Sequence, residues 1–220
     1  MSKALVIRGA DFSANAVAQV DIELPYDAEV SYLQGDGVAY IETGIIASSN
    51  TKFEIEVNVQ SASGSIGIIG ARTGTYTDNL IAYYGSGGDN AWNWRYGTQL
   101  KNFSHGGATG DFTVSNIDNV NVLVVSGSGS GTGNVSANAE TFTSVELYLF
   151  CWNKDDGTVG GVEYSDKLKI KKCKIWSGDT LVRNYIPVRV GTTGYLYDRV
   201  SRTLFGNAAS SGAFVLGVDK

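Results

Sequence analysis

One histidine, two cysteines and two prolines are present among 220 residues, and the first two scarcities each close off a class of chemistry. A lone His105 with two distant cysteines, Cys151 and Cys173, does not supply a ligand set with zinc-site spacing. The chain also has no Gly-x-Ser-x-Gly elbow, so a serine nucleophile paired with that histidine has no footing. His105 lies in His105-Gly106-Gly107 and reads as a surface-loop residue, while the cysteines lie in strand-like runs and read as buried free thiols. No apolar run approaches the roughly 20 residues of a membrane-crossing helix. Even residues 120–125 are broken by Asn121 and end at Ser126. The stretch Ala4-Leu5-Val6-Ile7 is too short for a secretory signal, which gives the expectation of synthesis in a bacterial cytoplasm without classical export. Positive charge is also short: 17 Lys and Arg against 22 Asp and Glu leave a net charge of −5. That balance repels phosphate backbones and anionic membranes, so neither nucleic acid nor membrane insertion is expected.

What is abundant points to β-structure. Glycine reaches 28 copies, and 43% of residues are hydrophobic, ample apolar material to offset chain entropy. A chain of this length buries roughly 70% of its unfolded surface and needs no metal or disulfide to fold. Residues 52–59 (KFEIEVNV) alternate apolar and polar, the mark of a half-buried strand. Residues 120–125 and 145–152 read as further strands, separated by turn clusters at 61–65, 85–90, 105–110, 126–134 and 153–161. In residues 167–176 the apolar positions move from Leu168 and Ile170 to Cys173 and Ile175, a phase change. A β-bulge near Lys171-Lys172 keeps both halves facing the core, with the lysines on the solvent face discouraging edge-to-edge pairing. Residues 1–25 differ: 3–8 read as a short strand, and 11–20 fit a short helix capped by Ser13 with Phe12, Ala16 and Val20 on one face. They form an N-terminal arm ahead of one domain at 26–220, in which helix is not expected.

Candidate chemistry is sparse. Glu54 and Glu56 share a strand face, but it is the polar side of a clean amphipathic strand, where solvated carboxylates belong. The Glu-x-Asp-x-x-Glu arrangement of sandwich-fold glucanases is absent, and no catalytic residue is assigned. Trp92, Trp94 and Tyr96 alternate with Asn93 and Arg95, so the three rings point to one side of a strand. They are either an exposed platform for stacking on sugar or the inward face of a sandwich strand with Asn93 and Arg95 outside. Tyr76, Tyr83 and Tyr84 flank the same region as a rim, and Arg72 joins them as a ligand-binding candidate. Asp78-Asn79, Asp89-Asn90 and Asn153–Gly157 offer hard oxygen ligands for Ca2+, although the same residues serve tight turns. No other cofactor is suggested.

Several stretches then fall in order. They are Glu29–Gly44 (EVSYLQGDGVAYIETG), Gly70-Ala71-Arg72-Thr73-Gly74, Leu147-Tyr148-Leu149-Phe150, Lys174-Ile175-Trp176, residues 181–189 (LVRNYIPVR) and residues 194–207 (GYLYDRVSRTLFGN). Together they resemble laminin-G-like, concanavalin A-like domains of bacteriophage and prophage structural proteins, over about residues 29 to 218. The resemblance implies a two-sheet antiparallel jelly-roll sandwich on the virion surface, in a fibre or a head or tail decoration. It further implies contact with host glycans and a homo-oligomer, a trimer first among the options, with the arm docking on other virion proteins. The matching motifs read as architectural: Tyr197–Asn207 suits a tight hairpin, with Leu204 and Phe205 on the returning strand. Arg72 and Arg183 suit internal ion pairs as well as ligand contacts. A free bacterial carbohydrate-binding module is the alternative, which the missing signal sequence disfavours.

Overall fold

The computed structural model describes residues 23–61, 63–73, 78–85, 91–104, 109–135 and 145–220, with the backbone only at Asp78. The described residues are nearly all-β, with strand far outweighing helix, and form a two-sheet antiparallel sandwich of jelly-roll type. The larger sheet runs Gly131–Asn134, Val122–Gly127, Gly110–Ser115, Thr51–Val59, Leu168–Ser177, Thr180–Val190, Thr193–Asp198, Thr203–Phe205. The smaller runs Val159–Gly160, Trp152–Lys154, Ile66–Thr73, Asp78–Tyr84, Ala91–Gly97, Gln99–Ser104, and Glu146–Leu149 joins Ile66–Thr73 to Ile41–Ile46. In chain order the strands pass repeatedly from one sheet to the other, so partners far apart in sequence become neighbours.

Period-two patterning builds the larger sheet. Thr51–Val59 buries every odd position and leaves the even ones partly exposed. Its inward Phe53, Ile55, Val57 and Val59 meet side chains of the opposite sheet. The bulge is present: Ile170 pairs with Val57 and Lys172 with Glu56, leaving Lys171 as the extra residue. Leu168, Ile170, Cys173 and Ile175 are all fully buried in consequence. The lysines, however, guard no edge. Their strand lies between Thr51–Val59 and Thr180–Val190, and they form ion pairs across the outer face. Lys172 reaches Glu56 at 3.0 Å, Lys171 reaches Asp111 at 2.7 Å and Lys174 reaches Glu54 at 3.6 Å. Glu54 and Glu56 are therefore half of an exposed charge ladder.

Three local expectations are corrected. The run 126–134 is a hairpin, Val122–Gly127 with Gly131–Asn134, and not a loop throughout. Its glycines serve close approach, since a Cβ on Gly131 or Gly133 would stand 2.7 Å from the Phe103 ring. The strand expected over 145–152 breaks at Phe150, whose φ of 70° turns the chain between Glu146–Leu149 and Trp152–Lys154. Helix is not wholly absent from the sandwich domain, because Val162–Lys167 forms a 3-10 turn. Both cysteines are free and buried, and burial pushes their thiols up, away from reactive thiolate.

The arm readings at 1–22 lie outside the described residues. From Tyr26 onward the chain packs on the sandwich: the Tyr26 ring lies tilted 5.1 Å from that of Tyr197, and the Asp27 N–H donates to the Arg189 carbonyl at 2.8 Å. A second small apolar cluster, Ile186, Val188 and Tyr197, lies there on the outer face of the larger sheet.

Candidate functional site

The sequence-predicted aromatic set divides between the two faces of the smaller sheet. Trp92, Trp94 and Tyr84 are fully buried and Tyr96 nearly so, all within the inter-sheet core. Phe53 meets Trp94 at 5.9 Å and Phe112 meets Trp92 at 5.3 Å. The Trp94 indole N–H donates to the Asn121 carbonyl at 3.2 Å, and the Tyr96 hydroxyl donates to the Ser49 carbonyl at 3.0 Å. This row is the inward face of the strand and offers no ring to a ligand. Of the two readings of Trp92, Trp94 and Tyr96, the inward face holds and the ligand platform does not, and Tyr84 is buried in the same core instead of standing at a rim: rings of this size contribute most when both sides are packed.

Tyr83 and Arg72 lie on the opposite, outer face. Tyr83 pairs with Asn93 across the ladder and sits 5.5 Å from Trp152, and Arg72 pairs with Asn79. That face is closed too. Tyr83 is 7% exposed, and Ile81, Asn79 and Asn93 are at most 2% exposed. The Asn79 and Asn93 side-chain oxygens are buried without a hydrogen-bond partner. Tyr83 is thus buried against Trp152, while Arg72 is half-buried further along the same face.

The calcium candidates separate likewise. Asn79 belongs to a strand, where its amide donates to the Gly97 carbonyl at 2.9 Å. Asp156 closes a turn by accepting from the Thr158 N–H and hydroxyl, which holds its carboxyl below the ordinary range. Asp89-Asn90, Tyr76 and His105 lie outside the described residues. Among the described residues, no three His, Cys, Asp or Glu side chains gather as a metal site would require. No helix among them is long and apolar enough to cross a membrane.

The open site lies elsewhere, where the edges of the two sheets approach each other. Glu42, Gly44, Glu146, Leu204, Phe205, Gly206 and Ala208 line a cleft of about 410 Å³. That volume is within the range of roughly 300–1,000 Å³ typical of small-molecule sites. One wall is the strand pair Ile41–Ile46 and Glu146–Leu149; the other is Thr203–Phe205 and the turn after it. Glu42 pairs with Tyr148 across the ladder, so Glu42, Tyr148 and Glu146 share one face. The Tyr148 hydroxyl donates to Glu42 Oε1 at 2.9 Å, and the Gly44 N–H donates to Glu146 Oε1. Partial burial and the Glu42 carboxylate push the Tyr148 phenol well up, so it stays a donor. Tyr40 stacks on Tyr148 with ring centres 5.1 Å apart.

The segments around Arg183, Asp198 and Asn207 build this cleft from behind. Asp198 is fully buried and accepts from the Asn184 N–H at 2.7 Å, the Val200 and Ser201 N–H groups at 3.1 Å and the Ser201 hydroxyl at 2.7 Å. It closes the hairpin in which Leu196 pairs with Phe205 and Asp198 with Thr203, as read for Tyr197–Asn207. Arg183 is internal: its Nε donates to the Thr43 carbonyl at 2.8 Å, Asp198 lies 3.7 Å away, and the Phe205 ring lies 5.3 Å from the guanidinium. Asn207 accepts from the Tyr40 N–H at 3.2 Å and donates to the Ser211 and Gly212 carbonyls, tying the far wall to the near one. Gly44, at φ 71°, has Arg183 Nη2 2.9 Å from where a Cβ would stand, so a side chain there would collide with the floor.

Sequence reading missed Glu42, Glu146 and Tyr148 as a group. Alternation marks each as outward-facing, yet the two glutamates are 104 residues apart and only strand pairing joins them. No protein-family model matches the chain, and no curated protein shows significant similarity to it. What fold and site define is a two-sheet β-sandwich with an open, aromatic and carboxylate-lined cleft between its sheet edges.

Proposed function

We propose that this protein binds and displays and does not catalyse: a bacteriophage virion surface protein, fibre or head/tail decoration, whose sandwich holds glycans in the edge cleft. The observation that carries the binding half is the cleft's lining. Carboxylate oxygens accept hydroxyl protons, Phe205 and Leu204 offer an apolar wall, and glycine backbone lets a ligand approach closely. Glu42 and Glu146 each accept a proton-bearing donor from the protein itself. That equips them as fixed acceptors, whereas glycoside hydrolysis needs one carboxyl to donate. The virion half rests on the ordered series of motifs shared with phage laminin-G-like domains. In this reading residues 1–25 dock on other virion proteins and the chain assembles as a trimer.

A glycan array probed with the full chain, then with Phe205→Ala, tests the binding half. Retained glycans that Phe205→Ala loses support it; an empty array, or one unchanged by the variant, counts against it. Light scattering on the full chain and on a version lacking residues 1–25 tests the assembly half. A trimer that becomes a monomer supports arm-mediated assembly, and a monomer in both shifts weight to a solitary carbohydrate-binding module. Release of reducing sugar abolished by Glu42→Gln would instead make it an enzyme.

A further inference from the structure

We infer that the edge cleft selects ligands bearing positive charge, so that its glycans are amine-bearing sugars and not neutral ones; this rests on the glycan reading above. The cavity combines volume for a ring or two with two carboxylates that have no cation of their own. On the larger sheet and the segments paired to it, several outward carboxylates are matched by cations. Glu54, Glu56 and Asp111 have lysines, Glu29 has Arg199 at 2.9 Å, and Asp219 has Arg189 at 2.6 Å. Glu42 and Glu146 make no ion pair among the described residues, although they line the cleft. The nearest guanidinium, Arg183, is counterbalanced by the fully buried Asp198 3.7 Å away. The cleft therefore keeps the charge of both glutamates.

Geometry adds to charge. Glu42 lies opposite Tyr148 and Glu146 opposite Ile46, with a register shift between them, and both glutamates line the cleft. A cationic ligand in the cleft would therefore meet two carboxylates. The Tyr148 hydroxyl and the Gly44 N–H hold one oxygen of each, leaving the second oxygen for the ligand.

The test is calorimetry with two probes of the same size: the glucosamine trisaccharide, whose amines are protonated at mildly acidic pH, and its fully N-acetylated counterpart. Two partly exposed ion pairs predict roughly tenfold tighter binding of the amine form, shrinking as salt is raised. The Glu42→Gln/Glu146→Gln double variant keeps acceptor oxygens and should equalise the two affinities. Ala208→Lys, at an exposed position in the lining, should remove the preference without touching either glutamate. Glu54→Gln, on the far face, should change nothing. Equal affinities in the native chain, or a preference that survives the double variant, would overturn the charge selection while leaving glycan binding in place. Binding of neither probe, with an empty glycan array, would overturn both.

Discussion

The strands Thr51–Val59 and Ala91–Gly97 carry similarly regular alternation in sequence but occupy opposite kinds of place. The first is buried on one side and carries paired charges on the other, whereas the second is buried at every position except the half-exposed Arg95. Asn93, which alternation assigns to solvent, is 1% exposed. Alternating polarity reports a one-sided strand only when water reaches the polar side. On the smaller sheet the outer face is buried as well, so rings and amides are buried together. An aromatic row on such a strand is ambiguous by pattern alone.

The sharpest way to break this comparison is to change strand length. Deleting Glu56 shifts the faces of one half of Thr51–Val59, sending buried residues to solvent, and should abolish cooperative unfolding. Deleting Lys171 removes only the bulge residue and restores strict alternation, so the chain should still fold; circular dichroism and thermal melts of the two variants decide it. Next in size is Trp94→Ala, which empties a fully buried site and should cost about 3–5 kcal/mol in urea unfolding. Outward-facing Tyr83→Ala should cost about 3 kcal/mol because its face is closed. The equivalent outward change on the larger sheet, Lys172→Ala, should cost under about 1 kcal/mol and fade in salt. If the two cost the same, the difference between the sheets is not one of burial.

A smaller effect is set by pH. Partial burial pushes the Asp36 carboxyl up, but the N–H groups of Ala39, Ala213 and Val38 together outweigh it and hold it below the ordinary range. A lowered folded value means its stabilisation is complete above the unfolded value and disappears as pH falls through the folded one. Asp36→Asn should therefore be less stable than the native chain by up to about 1 kcal/mol at neutral pH. The gap should close on acidification, and melting temperatures across an acid series measure it.

Much of the fold was legible beforehand. The phase change at Lys171 located a bulge because only an inserted residue keeps Ile170 and Cys173 on one face. The hairpin around Asp198 was legible because its polar groups satisfy a turn locally. The cleft was not, since Glu42 and Glu146 announce themselves only as outward residues of separate strands.

Local chemistry, then, was determined by sequence: strand identity, turns, the bulge and buried thiols. Which face of the smaller sheet is closed, and which glutamates meet, were decided by tertiary structure. The reason is physical. Periodicity is set by a residue's immediate neighbours, whereas burial and charge pairing depend on strands brought together across a hundred residues of chain.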